Sequence, residues 1–234
     1  MSVKAPLHIL SQLIESLPSK SRKHLLDGCE QVDLVFGSVL HEAHQPIHHV
    51  YFPLSGFVSL VTTLEGHQPL EMGLIGNEGM LGATLALGVA QAPMRAVVQG
   101  AGSALCLSST LFKQELLNSP ALQRMLKRYL YVVMAQLSQS AACMHFHEIE
   151  PRLARWLLMT HDRAHADHFH LTHEFLADML GVRRSGVSIA AAAMQGRGLI
   201  SYSRGEINIL NRHGLEQVAC ECYAVLRADY RAQF

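Results

Sequence analysis

The segment Leu171–Gln195 constrains this chain more than any other. It reads Leu-Thr-His-Glu-Phe-Leu-Ala-Asp-Met-Leu-Gly-Val-Arg-Arg-Ser-Gly-Val-Ser-Ile-Ala-Ala-Ala-Ala-Met-Gln. Thr172 carries a hydroxyl suited to cap a helix, and Glu174 suits the positive end of its first turn. Phe175, Leu176, Met179 and Leu180 fall on one face, and Ala177 is small where a second helix must cross closely. Gly181 stands where a helix ends in a left-handed residue. A second helix then starts at about Arg183, with Val187, Ala191 and Met194, plus Ile189 or Ala190, turned inward. The spacing predicts two helices joined by a tight turn, a helix-turn-helix.

What precedes this segment falls into three textures. Residues 7–28 read as helical, with Leu7, Leu10, Leu13, Ile14 and Leu17 at three-to-four spacing and a break at Pro18. Val32–Phe36, His49–Phe52, Phe57–Thr62, Leu70–Ile75 and Ala96–Leu107 are short apolar runs parted by Gly and Pro, which predicts a small β-barrel or jelly roll. Ser119 and Pro120 then start a helix over Ala121–Cys143, a stretch without Gly or Pro and about 35 Å long at 1.5 Å per residue. Leu122, Met125 or Leu126, Tyr129, Val133, Leu137 and Ser140 trace one stripe, while Leu130, Val132 and Met134 extend beyond it. A helix with two apolar faces can pack on its own domain and on a partner, the reading preferred here over a core helix in a monomer. Charged residues are only 16% of the 234, well below the roughly 25% usual for soluble domains, which fits a face buried between subunits. Pro151 opens another helix, Arg152–His161, and the polar stretch His165–His170 reads as a loop.

The chemistry around the helix-turn-helix points to nucleic acid. Arg183, Arg184, Ser185 and Ser188 cluster at the exposed start of the second helix. Arg pairs bidentately with guanine O6 and N7, and Ser reaches phosphate or base. Leu199–Tyr202 and Glu206–Leu210 read as a hairpin with Arg204 at its tip, a wing able to lie along a phosphate backbone. Lys plus Arg equals Asp plus Glu, at 19 each, so attraction to DNA comes from local clustering rather than net charge.

This order resembles the Crp–Fnr family of bacterial transcription regulators. The resemblance covers nearly the full chain and is most specific in residues 171–210. It implies an α+β chain with a cyclic-nucleotide-binding-like barrel (1–118), a dimerisation helix (119–144) and a winged helix-turn-helix domain (145–234). It implies a homodimer through residues 121–143, binding double-stranded DNA at an inverted repeat, and not an enzyme. Arg184 matches the family's guanine-reading arginine by its spacing from Gly181. Ser185 and Ile189 stand where well-known members carry Glu and a further Arg, so the half-site sequence differs. Activators of this kind also contact RNA polymerase, and no surface for that is legible in the chain.

The sensor half departs further. Family pockets use a Gly-Glu pair for the ribose and an Arg-Ser pair for the phosphate. Here Gly82, Ala83 and Thr84 occupy the pocket loop, with Ala83 where the Glu belongs, and Met94-Arg95-Ala96 replaces Arg-Ser-Ala. Alanine cannot accept a hydrogen bond from a ribose hydroxyl, so usual cAMP binding is not expected. Arg95 is read as solvent-exposed, paired with Glu71 or Glu78, or awaiting an anionic effector. Only Cys29 lies in the first hundred residues, which excludes the oxygen-sensing branch's iron–sulfur cluster. His41, His44, His48 and His49 read as surface residues, as do the histidines from His161 to His173 with His145 and His147. Cys220 and Cys222 fall in a final helix, Gly214–Asp229, where neighbours two apart face different sides, so no metal site is read there. A second reading stays open: a metal- or haem-dependent barrel that senses or catalyses, with the helix-turn-helix as an interaction module only. A third is a regulator with no small effector.

Five scattered cysteines give no disulfide framework and point to a reducing cytoplasm. Met1–Lys20 has no apolar block followed by a small-residue cleavage site, so no signal peptide is read. Gly79–Phe112 has Arg95 as its sole charge, but repeated Gly and Pro prevent a uniform membrane-spanning helix.

Overall fold

The computed structural model describes residues 11–164 and 166–234. Its chain order is helices α1 (Gln12–Glu15) and α2 (Ser19–Asp27), then strands β1 (Glu30–Leu34), β2 (Val39–His41), β3 (His49–Thr62), β4 (Leu70–Ile75) and β5 (Arg95–Ser108). Pro18 parts the first two helices as expected, and Leu7 and Leu10 lie outside the described residues. The strands form one antiparallel sheet in the order β1-β5-β3-β4, with β2 also on β5. A one-turn 3-10 helix, Ala83–Leu87, links β4 towards β5.

The two runs read as separate strands, His49–Phe52 and Phe57–Thr62, are one strand. Its register against β5 shifts at Pro53, Ser55 and Phe57. Bulges of this kind bend a strand pair without ending it. The bend requires glycine on both strands. A Cβ on Gly56, whose φ is +72°, would lie 2.3 Å from the Gly100 carbonyl oxygen, and one on Gly102 would lie 2.3 Å from that of Ser55. The bent pair serves two cores. One packs Val50, Phe52 and Leu105 against Leu13, Leu25, Phe112 and Leu126. The other packs Val58 and Val98 with Leu34 and Ile75.

Helix α3 (Ser109–Asn118) follows, and then the long α4 (Pro120–Phe146). The Leu122 amide donates to Ser119 Oγ at 3.2 Å, the expected cap with Pro120 behind it. Helix α4 runs three residues past the expected end at Cys143. After it come α5 (Ile149–Ala164), β6 (His168–His170), α6 (His173–Leu180), α7 (Arg184–Gly196), β7 (Ile200–Ser203), β8 (Glu206–Ile209), α8 (Arg212–Val218) and α9 (Cys222–Gln233). Helix α5 is buried continuously from Arg152 to Thr160. Around it lies a third core with Trp156, Leu176, Val187, Met194 and Ile207, joined by Phe57 and Leu74 of the first sheet. No helix among the described residues is long and apolar enough to cross a membrane.

Two expectations are corrected here. The stretch read as a loop, His165–His170, contains strand β6, which pairs with β8 and buries Phe169 between exposed His168 and His170; His165 lies outside the described residues. The final helix is not continuous. Ala219 is extended (φ −60°, ψ 145°), which separates α8 from α9. Cys220 and Cys222 therefore sit at a helix break, not on one helix facing apart, and both pack with Cys143.

Candidate nucleic-acid interface

The helix-turn-helix forms as its residues predict. The Phe175 amide donates to Thr172 Oγ1 at 3.1 Å. Gly181 ends α6 in the left-handed region (φ 63°), and a Cβ there would also lie 2.7 Å from Leu70 Cδ1. Arg152 donates to the Leu180 carbonyl, which satisfies an orphan acceptor at the end of α6. Arg183 is the first residue before α7, and Val187, Ala190, Ala191 and Met194 form its buried face. Of the two alternatives for the inward position, Ala190 is correct. Ile189 is 72% exposed.

The outward face of α7 begins with Arg183, Arg184 and Ser185, all exposed. Among the described residues the Arg184 guanidinium pairs with Glu174, at 3.8 Å across two exposed side chains, a pairing worth little. Ser188 is more engaged than its sequence position suggests. Its hydroxyl hydrogen-bonds His173 Nδ1 at 2.8 Å and donates to the Arg184 carbonyl at 3.1 Å. His173 in turn stacks on Tyr202 of the wing at 4.1 Å between ring centroids. Burial, with the Arg184 charge behind it, lowers the His173 pKa. The Tyr202 amide also donates to Gln195 Oε1 at 2.6 Å. Sequence reasoning missed His173, Tyr202 and Gln195, which lock wing to recognition helix. No local pattern marks contacts between residues so far apart in the chain.

The wing is β7 and β8 with β6 on its outer side. Arg204 and Gly205 form its turn with φ of 52° and 86°, the two left-handed residues of a tight hairpin turn. Arg204 is exposed at the tip. The neighbouring histidines are paired with acids rather than simply solvated. His168 and His170 meet Glu206 at 2.7 and 2.6 Å, and His161 meets Asp167 at 2.6 Å. The hydrogen bond from His170 holds the Glu206 carboxyl below its ordinary range.

The sensor-half residues separate. Gly82, Ala83 and Thr84 line a cavity of about 60 Å³ with His41, Ile47, Leu60, Met80 and Tyr129. That is far below the roughly 300–1,000 Å³ of small-molecule pockets. Arg95 does not line it. It pairs with Glu42 at 3.3 Å and is 43% exposed, so the pairing with Glu71 or Glu78 is corrected. Glu78 instead holds Arg163 at 2.7 Å, and Glu71 accepts from Trp156 at 2.9 Å. His41, read as a surface residue, is buried, and its Nε2 is 2.8 Å from the His49 carbonyl oxygen. Burial lowers its pKa. His44, His48 and His49 are exposed as expected.

On α4, Leu122, Met125, Leu126, Tyr129 and Val132 are buried within the chain's own core. Val132 thus belongs to the inner face. The opposite face runs Lys127, Tyr131, Met134, Ser138, Ala141 and His145, all exposed. Its three-and-four alternation is the seam pattern of paired helices, with Tyr131 52% and Met134 63% exposed.

Comparison with known proteins agrees with this geometry. A family model described as a Crp-like helix-turn-helix domain matches residues 151–218. No curated protein matches the chain by sequence. Among solved structures, a transcriptional regulator of the Crp/Fnr family from Eubacterium rectale aligns with a TM-score of 0.69 at 16% identity, over 88% of this chain and 97% of that one. FixK2 from Bradyrhizobium japonicum aligns with a TM-score of 0.69 at 15% identity, over 82% and 98%. The global regulator CLP of Xanthomonas campestris, described as responsive to c-di-GMP, aligns with a TM-score of 0.67 at 14% identity, over 82% and 99%.

Proposed function

We propose, from the premise that this chain is a DNA-binding transcription regulator with the Crp/Fnr fold and a Crp-like helix-turn-helix domain, that it acts as a homodimer on an inverted repeat. Each α7 would enter one major groove, with half-sites about 34–36 Å apart. In this reading residues 1–118 are the sensor-like domain, residues 119–144 of the long helix are the dimer seam, and residues 145–234 are the DNA-binding domain. Arg184 reads a base, with Ser185 beside it. Arg183, Ser188, Arg204 and the Thr172 end of α6 position the protein on phosphates. Exposed Ile189 is suited to a thymine methyl, a contact available to an apolar side chain in the major groove.

The observation that carries this reading is the exposed start of α7, where Arg183, Arg184 and Ser185 take no part in the core. Selection of bound duplexes from a random pool, with ligand-free protein at moderate salt, tests it. An inverted repeat with centres one helical turn apart is the expected product. No enrichment, with or without cell extract, would overturn the assignment of α7 as a DNA reader.

The dimer seam has its own prediction. Met134→Glu combined with Tyr131→Glu places like charges against each other across a two-fold axis, which costs several kcal/mol. The dimer is expected to weaken by at least about 100-fold, with each chain still folded because both residues are exposed. Sedimentation across a concentration series checks it, and an unchanged dimer would place the seam elsewhere. As to an effector, the small apolar cavity behind Gly82 and the outward turn of Arg95 both disfavour a cyclic nucleotide held in the family's usual way.

A further inference from the structure

The last turn of α4, the residue that caps it and the break before α9 bring four side chains to one point. Cys143, His147, Cys220 and Cys222 each offer one ligand atom, and these atoms all lie within 4.8 Å of one another. Cys143 Sγ and Cys220 Sγ are 3.6 Å apart, and Cys222 Sγ is 3.5 Å from His147 Nδ1. The three cysteines are free and buried. A tetrahedral zinc ion bonds sulfur at about 2.3 Å and imidazole nitrogen at about 2.0 Å, which sets edges of about 3.8 Å between two sulfurs and about 3.5 Å between sulfur and nitrogen. The Cys143–Cys220 and Cys222–His147 separations lie within about 0.2 Å of those edges.

The surroundings supply what a metal site needs beyond its ligands. Glu221 Oε1 is 3.2 Å from His147 Nε2, so that nitrogen carries the proton and Nδ1 faces the thiols with its lone pair. A carboxylate behind a histidine is the usual support for a metal-bound imidazole. Gln139 Nε2 donates to Cys222 Sγ at 3.0 Å. Arg152 and Arg155 are buried on the adjacent α5, each with an Nε that has no hydrogen-bond partner among the described residues. Neither has a carboxylate within ion-pair distance among those residues. Arg155 reaches the Glu71 carboxylate only through space, beyond ion-pair distance, and a buried guanidinium is costly without a close opposing charge. Three thiolates around a divalent ion carry a net charge of about −1, which offsets it.

We propose that Cys143, His147, Cys220 and Cys222 form a closed four-coordinate site for a thiophilic divalent cation of the zinc class, which ties the start of α9 to the C-terminal end of α4. Four protein ligands leave no open position, which makes the site structural rather than catalytic. It lies outside the barrel, and it does not depend on how α7 meets DNA.

Metal analysis of the full-length protein, purified reduced and passed through a desalting column, is the first readout. About one equivalent of zinc per chain is expected. Cobalt(II) loaded into the metal-stripped protein should show the visible bands of a tetrahedral ion and a near-ultraviolet thiolate charge-transfer band. Glu221→Gln should retain the site but lower metal affinity by about 10–100-fold. His147→Ala should alter the visible bands while keeping the charge-transfer band. Cys222→Ser should weaken that band, and Cys29→Ser, distant in the fold, should change neither. Because His147 and Glu221 sit at the rim, their variants keep the test decisive if a cysteine variant fails to fold. Folded, fully reduced wild-type protein that takes up neither zinc nor cobalt would overturn the proposal. So would metal binding undiminished in both His147→Ala and Cys222→Ser.

Discussion

Arg184→Ala is expected to lower affinity for the selected site by about 5- to 150-fold, and to relax selectivity at one base pair per half-site. The size follows from the roughly 1–3 kcal/mol that one bidentate contact contributes. Arg184 is the first residue of α7, where a recognition helix presents its side chains to base edges. Its ion pair with Glu174 is long and exposed, so leaving it for guanine costs little. For the same reason the substitution should leave thermal stability almost unchanged. Arg204→Ala makes the contrast. A contact from the wing tip to phosphate carries no sequence information, so its loss should weaken binding to all duplexes alike and reduce the salt slope by about 1. Competition titrations over single-base variants of the site, repeated at several salt concentrations, distinguish the two. A uniform loss for Arg184→Ala would make it a phosphate contact and leave base reading to Ser185 or Ile189.

The helix-turn-helix was legible because each of its determinants is local. Thr172 caps, Gly181 turns, and the apolar residues repeat at helical spacing within one window. The start of α4 was legible for the same reason. Elsewhere local punctuation misled. Pro53 and Gly56 look like ends of strands, yet in β3 they mark bulges in a strand that continues. The break between α8 and α9 has the opposite problem. Ala219-Cys220-Glu221 holds neither Gly nor Pro, and the interruption falls where both cysteines pack on Cys143. No spacing rule joins positions 143 and 147 to 220 and 222, so the cluster is visible only when α4 and α9 lie side by side. Of the readings of Arg95, solvent exposure holds and the carboxylate partner does not: the sequence offered Glu71 or Glu78, and the partner is Glu42, which directly follows β2.

The joint between the two halves of the chain should make stability depend on pH through Glu71. Its carboxylate accepts from Ser59 Oγ at 2.6 Å within the first sheet and from Trp156 Nε1 at 2.9 Å in α5. The residue keeps some exposed surface, but its carboxylate is enclosed between these partners. Desolvation raises its pKa from 4.5 to about 7, against the lowering effect of both hydrogen bonds and of Arg155 and Arg163. Because the folded-state value is the higher one, the folded protein binds a proton that the unfolded chain has released between those two values. Stability therefore falls as pH rises from about 4.5 to about 7, and the penalty is complete above that. Glu71→Gln removes the charge and can keep both partners, its amide oxygen accepting from Trp156 Nε1 and its amide nitrogen donating to Ser59 Oγ. At pH 5 the folded wild-type carboxyl is already neutral while the unfolded one is largely ionised, so the variant should exceed the wild type by no more than about 1 kcal/mol. At pH 8 the variant should be more stable, by on the order of 2–3 kcal/mol at most. For a chain of this length that is roughly 5–10 °C in Tm, at about 2–4 °C per kcal/mol. Thermal melts of both proteins at the two pH values check this, and subtraction removes the histidines, which titrate alike in each. A difference of the same size at pH 5 and pH 8 would show that Glu71 does not titrate in this range, and that the joint with Trp156 is a neutral contact throughout.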